Sequence, residues 1–151
     1  MNILFVCSAN ISRSFLAEML LRNEIELLNL EDISVSSAGL FAYPGVPPDS
    51  EMVSYLSKMG IPVKSHESRK MTEDDVDWAD LILVMERGHA EAVKESWPKA
   101  GLKVKLLGSL LSPTGYADDV IDPFRRTPYH YRLAQSQITL AVKALVESLT
   151  K

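Results

Sequence analysis

Asn2-Ile3-Leu4-Phe5-Val6-Cys7-Ser8-Ala9-Asn10-Ile11-Ser12-Arg13-Ser14 opens the chain with an unbroken apolar run that gives way to small and polar residues, and Phe15 to Leu28 follows with strong helix formers. Asn2 to Val6 is bulky or β-branched without alternation, the pattern of a strand buried on both faces and hence of a parallel sheet. Leu16, Met19, Leu20, Asn23 and Leu27 recur at the spacing of one helical face. The opening unit is strand, loop, helix.

Further along the chain, Ile33 to Ser37 reads as a second strand ending at Ala38-Gly39, before the proline-rich loop Tyr43 to Pro48. Asp49 to Met59 reads as a helix stopped at Gly60. Thr72-Glu73-Asp74-Asp75 resembles a capping box that opens a short helix through Trp78. Leu81 to Met85 is a third buried strand, Arg87 to Glu95 a helix ended before Pro98, and Val104 to Leu107 a fourth strand. After a long loop, Ile138, Ala141, Val142, Leu145 and Leu149 mark an amphipathic C-terminal helix. This alternation predicts an α/β fold of three layers, with helices on both faces of a four-stranded parallel sheet. Right-handed crossovers favour strand order 2-1-3-4 over the whole chain, 1–151, as one domain. The switch point, where open α/β sheets bind ligands, then falls at the carboxyl end of the first strand. Cys7 sits there.

Composition narrows the function. The chain has 151 residues, with 20 acids against 16 bases and a net charge of −4. That balance argues against a nucleic-acid or anionic-membrane binder, since either wants a basic face. Cys7 is the only cysteine, so no intrachain disulfide is available and a reducing, cytoplasmic setting is expected. No apolar run approaches the ~20 residues of a membrane span, so no membrane insertion is expected. His66, His89 and His130 are too scattered for metal-ligand spacing, and no metal or other cofactor is expected.

The first loop suggests phosphate, because a loop from a buried strand into a helix aims backbone N–H groups and the positive helix end at one point. A nucleotide P-loop would end in Gly-Lys-Ser/Thr, which is absent. Instead the loop holds Cys7, five residues, Arg13 and Ser14. A thiolate is favoured at a helix N-terminus and is a strong nucleophile. Arg13 adds a planar fork suited to two phosphoryl oxygens at once. The plain alternative is that a lone cysteine at a strand end is merely a small hydrophobe. Ester cleavage also needs a proton for the leaving oxygen. Asp122, in Asp122-Pro123-Phe124 on the loop after the fourth strand, is the candidate acid. Phe124, with Phe41 or Tyr43 from the second loop, is the candidate wall for an aromatic substrate.

Those residues carry a resemblance. Val6 to Ser14 with Ala17-Glu18 resembles the phosphate loop and first helix of the low-molecular-weight protein tyrosine phosphatases, and Asp122-Pro123-Phe124 resembles their Asp-Pro-Tyr acid loop. Ser36 to Gly39, Pro48-Asp49, Ser65 to Arg69 and Asp80 to Met85 resemble the intervening landmarks in order. The resemblance implies a metal-free phosphomonoesterase with Cys7 as nucleophile, Arg13 as clamp and Asp122 as acid, then base. It implies phosphate binding by Ser8, Ala9, Asn10, Ile11, Ser12, Arg13 and Ser14, with Asn10 braced through Ser37 and His66 and Ser14 donating to the Cys7 thiolate. The short second loop is similar to the bacterial branch, which implies a phosphotyrosine protein as substrate, a tyrosine autokinase of exopolysaccharide export as partner, and a monomer or weak dimer. Ser12 stands where the family often has a second cysteine, Ala9 where it often has glycine, Phe15 where it often has proline, and Phe124 in place of tyrosine.

Competing readings remain at this point. A phosphocysteine carrier also places a cysteine after its first strand but has no use for Asp122, and a phosphopeptide-binding module would not need both nucleophile and acid. Arsenate reduction needs resolving cysteines that are absent. In protein arginine phosphatases a smaller polar residue stands at the position of Ile11, so Ile11 favours phosphotyrosine. Tyr116, Tyr129 and Tyr131 flank the acid loop as candidate phosphosites, with ordinary packing the simpler account.

Overall fold

The computed structural model describes residues 1–63, 65–112 and 118–151; Tyr116 lies outside them. Strands β1 (Asn2–Cys7), β2 (Ser34–Gly39), β3 (Leu81–Val84) and β4 (Val104–Leu106) alternate with helices α1 (Arg13–Leu28), α2 (Ser50–Lys58), α3 (Glu73–Trp78), α4 (Arg87–Ser96) and α5 (Pro128–Leu149). All strand pairs are parallel and the order is β2-β1-β3-β4, as the sequence predicts.

Successive side chains of a strand face opposite sides, so β1 feeds two cores. Ile3, Phe5 and Cys7 pack with Phe15 and Leu16 of α1, Leu56 of α2 and Ile138 of α5. Leu4 and Val6 pack on the other side with Ile82 of β3, Val76 of α3 and Val93 of α4. Each fully buried side chain of this size contributes about 1.5–3 kcal/mol. The sheet is thereby fixed between two helical layers, and its carboxyl edge carries the loops.

The helix ends follow local chemistry. Asp49 accepts from the Glu51 N–H at 3.0 Å and caps α2. Asp75 Oδ2 reaches back to the Thr72 N–H at 2.8 Å, closing the first turn of α3. Helix α5 starts at Pro128, well before the apolar periodicity that begins at Ile138. Thr127 caps it by accepting from the His130 N–H, and proline at the first position loses no hydrogen bond. The inward residues of those early turns are Tyr131, Ala134 and Gln135, which do not continue the aliphatic periodicity.

Gly39 ends β2 against the first loop. A Cβ there would lie 2.7 Å from the Ser8 carbonyl oxygen and 2.9 Å from the Asn10 nitrogen, so only glycine permits this approach. On its outer side Gly39 bridges Lys70, its N–H donating to Arg69 O at 2.9 Å and its carbonyl accepting from Met71 N at 2.9 Å. No described helix is long and apolar enough to cross a membrane.

Candidate active site

Cys7 is the last residue of β1, Arg13 the first of α1, and Ser8, Ala9, Ile11 and Ser12 between them line one pocket. The loop turns at Asn10, whose φ of 59° is left-handed. Asparagine tolerates that region better than most residues. Ala9, at the position of the family glycine, has no positive φ. That substitution therefore leaves the turn intact.

Asn10 is also the hub of a directional network. Its Nδ2, which can only donate, reaches Ser14 Oγ and Ser37 Oγ at 2.9 Å each. Ser37 passes its own hydrogen to Glu18 Oε1. Ser14 Oγ accepts from Asn10 and lies 2.9 Å from Cys7 Sγ, with its own hydrogen free to donate to the sulfur. The Asn10 N–H also points at Sγ, 3.4 Å away. The Asn10 N–H and the Ser14 hydroxyl therefore both stand within hydrogen-bond reach of one sulfur. From outside the loop, His66 Nε2 donates to the Asn10 carbonyl at 2.8 Å and the Arg69 N–H to Asn10 Oδ1 at 3.0 Å. Phe15, in place of the frequent proline, packs its ring 4.8 Å from that of His66.

Arg13 is almost fully buried, at 2% exposure. Its Nη1 lies 2.7 Å from Glu86 Oε2 and donates to the Val120 carbonyl at 2.8 Å, while Nη2 stands 3.8 Å from Asp122 Oδ2. The acid loop is thus brought over the phosphate loop by the guanidinium. The pocket they enclose, about 50 Å³, is lined by Cys7, Ser8, Ala9, Ile11, Ser12, Arg13, Asp122 and Phe124. A larger groove between α2 and α5, about 260 Å³ and bordered by Tyr55 and Tyr131, lies away from Cys7.

The structure brings Phe124 to the pocket but not Phe41 or Tyr43. Phe41 is 74% and Tyr43 81% exposed, and neither lines the cavity, although the Phe41 N–H holds the Ser8 carbonyl at 2.9 Å. Ile11, opposite Phe124 in chain order, supplies apolar lining instead. Ser12 Oγ is buried there without a hydrogen-bond partner. Of the candidate phosphosites within the described residues, Tyr129 is exposed, whereas Tyr131 is buried and donates to Asp49 Oδ2 at 2.6 Å. Burial and that carboxylate push the Tyr131 phenol well above the ordinary tyrosine range.

Two residues of the site escape a reading of the sequence alone, Glu86 and His89, and Glu18 is legible only as part of the first-helix motif. Glu86 and His89 stand just past the carboxyl end of β3, the edge where the site forms, and that position was their only signal. His89 Nε2 lies 2.9 Å from Ser8 Oγ. Burial, followed by the charge of Arg13, pushes His89 below the ordinary histidine value, against opposing pulls from Glu86, Asp119 and Asp122.

The family description "Low molecular weight phosphotyrosine protein phosphatase" matches residues 2–151. The chain belongs to this family. As a member of it the chain is a cysteine-dependent phosphatase. It is 33% identical to the protein-arginine-phosphatase of Geobacillus stearothermophilus, covering 97% of this chain and 95% of the relative. It is equally 33% identical to the probable low molecular weight protein-tyrosine-phosphatase EpsP of Ralstonia nicotianae, over 95% of this chain and 92% of that one. Among solved structures, the YwlE arginine phosphatase from G. stearothermophilus superposes with a TM-score of 0.89, at 33% identity, over 99% of this chain and 92% of that one.

Proposed function

We propose that the phosphatase hydrolyses phosphotyrosine in proteins through a phosphocysteine intermediate, with the whole chain, 1–151, acting as one domain. The observation that carries this reading is the convergence of Cys7, Arg13, Asp122 and Phe124 on one small pocket. The Cys7 thiolate attacks phosphorus in line. The P–O bond to the leaving group breaks, and Asp122 gives that oxygen its proton. The Arg13 fork and the loop amides of Ser8 to Ser14 hold the equatorial oxygens as charge builds on them. Asp122, now a carboxylate, takes a proton from a water that attacks the phosphocysteine, releasing phosphate and restoring the thiolate. Asn10, through Ser37 and His66, braces the loop, and no step requires a metal ion.

Phosphotyrosine suits the lining. A phenyl ring carries its phosphate far enough out to reach a sulfur at the pocket floor, and Phe124 and Ile11 present apolar surface to that ring. Phosphoarginine is the second reading, since relatives at 33% and 31% identity carry that name. Ile11 weighs against it, because an aliphatic side chain offers no acceptor to a guanidinium. The proposed setting is the cytoplasm, opposite a tyrosine autokinase.

Peptides carrying phosphotyrosine, phosphoserine and phosphoarginine, assayed with Cys7→Ser and Arg13→Ala as controls, test the reading. Phosphotyrosine should be cleaved at least about a hundredfold faster than phosphoserine, roughly 2.7 kcal/mol in the barrier. Both controls should lose turnover with the fold retained. A clear preference for phosphoarginine would transfer the assignment to the second reading, and normal turnover in either control would discard the mechanism.

A further inference from the structure

His89, the third residue of α4, is buried and takes part in no step above. Its two ring nitrogens have different partners. The Glu86 N–H donates to Nδ1 at 3.2 Å, and a backbone amide cannot accept in return, so Nδ1 holds a lone pair. A neutral imidazole with a bare Nδ1 carries its proton on Nε2. The neighbourhood favours that neutral form, since burial and the Arg13 charge outweigh Glu86, Asp119 and Asp122 around the ring. Nε2–H therefore donates across 2.9 Å, and Ser8 Oγ accepts. The hydroxyl hydrogen of Ser8 is left over, and among the described residues no acceptor takes it. Ser8 lines the same pocket as Cys7 and Arg13.

We infer that His89 is a positioning residue that orients Ser8 as a hydrogen-bond donor to the phosphoryl group. The inference rests on the pocket's being the phosphate site proposed above. It assigns a side-chain donor to the pocket in addition to the loop amides and Arg13. It also explains why one histidine holds both sides of the site, since its other nitrogen anchors Glu86, the partner of Arg13.

The rival account is that His89 only caps α4. Two conservative variants separate the roles, because an asparagine oxygen replaces Nδ1 as acceptor whereas a glutamine nitrogen replaces Nε2 as donor. The readouts are kcat/KM on p-nitrophenyl phosphate and the binding constant of inorganic phosphate, which has no leaving group. Ser8→Ala and His89→Asn should each weaken phosphate binding and kcat/KM by about tenfold, the worth of one hydrogen bond to a charged group. The double variant should be no worse than either single one, the signature of two residues acting on one contact. His89→Gln should recover most of the phosphate affinity.

Unchanged phosphate binding in Ser8→Ala, or losses that multiply in the double variant, would overturn the inference. Should His89→Asn fail to fold, Ser8→Ala still decides, because it leaves the α4 cap untouched. A parent protein that binds phosphate through Ser8 but hydrolyses no ester would uphold this inference and sink the proposed function. A parent that binds no phosphate sinks both.

Discussion

Glu86 Oε2 stands 2.7 Å from Arg13 Nη1, so the guanidinium proposed to clamp the phosphate is already half of an ion pair. Arg13 is 2% exposed and Glu86 35% on their side chains. Glu86→Ala would leave a buried cation with the Val120 carbonyl as its remaining close acceptor. Breaking a fully buried pair costs 3–5 kcal/mol; with one partner reaching solvent, about 2 kcal/mol is expected. A misplaced fork should also lower kcat/KM at least about tenfold. Urea denaturation and p-nitrophenyl phosphate kinetics measure both, and an unmoved denaturation midpoint would refute the pairing.

Ser12 supports a prediction with two opposite signs. Its buried hydroxyl has no partner in the free protein, a condition costing about 1–3 kcal/mol. Ser12→Ala removes that cost, so the ligand-free protein should gain on the order of 1 kcal/mol of stability. Phosphate binding should weaken if, as in the proposed reading, the anion is the partner this hydroxyl lacks. Thermal melts with and without inorganic phosphate read both at once; a variant less stable when empty, or equally stabilised by phosphate, would count against it.

Asp122 is exposed and stands 3.8 Å from Arg13, within reach of the pocket mouth. A phenolate leaves with little help, an alkoxide does not. Asp122→Ala should therefore cost alkyl phosphates more than aryl phosphates, steepening the dependence of kcat on leaving-group basicity. A uniform loss across the series would assign the proton to another group.

The bond from Tyr131 to Asp49 predicts a pH effect of definite sign. The folded phenol keeps its proton above the pH at which the unfolded one, near the ordinary 10.0, loses it. The folded state then binds more protons, so stability falls as pH rises past about 10. Below that value the contribution is fully present. Tyr131→Phe should flatten this alkaline slope in denaturation curves taken from pH 9 to 11, and an unaltered slope would contradict it.

What the sequence made legible is what local pattern controls. The strands announce themselves as unbroken apolar runs, and Cys7, Arg13 and Asp122 by chemistry and position. Glu86 and His89 stayed hidden because their meaning is tertiary: a glutamate before an ordinary polar helix acquires a role only once β3 sits beside β1. The start of α5 stayed hidden for a different reason, since its first inward residues are a tyrosine hydrogen-bonded to Asp49 and a buried glutamine. Phe41 and Tyr43 had the right type in the right loop, but their backbone is tied to Ser8 and Ser68 while their rings face solvent.

The short segment around Arg69 to Met71 does two unrelated jobs. It pins Asn10 through the Arg69 N–H, and it occupies the free side of β2 at Gly39. An uncovered strand edge is a template for pairing with another copy. Lifting this segment would both unbrace the phosphate loop and free the Gly39 end of that edge. The brace of the phosphate loop and the cover on the last residue of the β2 edge are thus one piece of chain, lost or kept together.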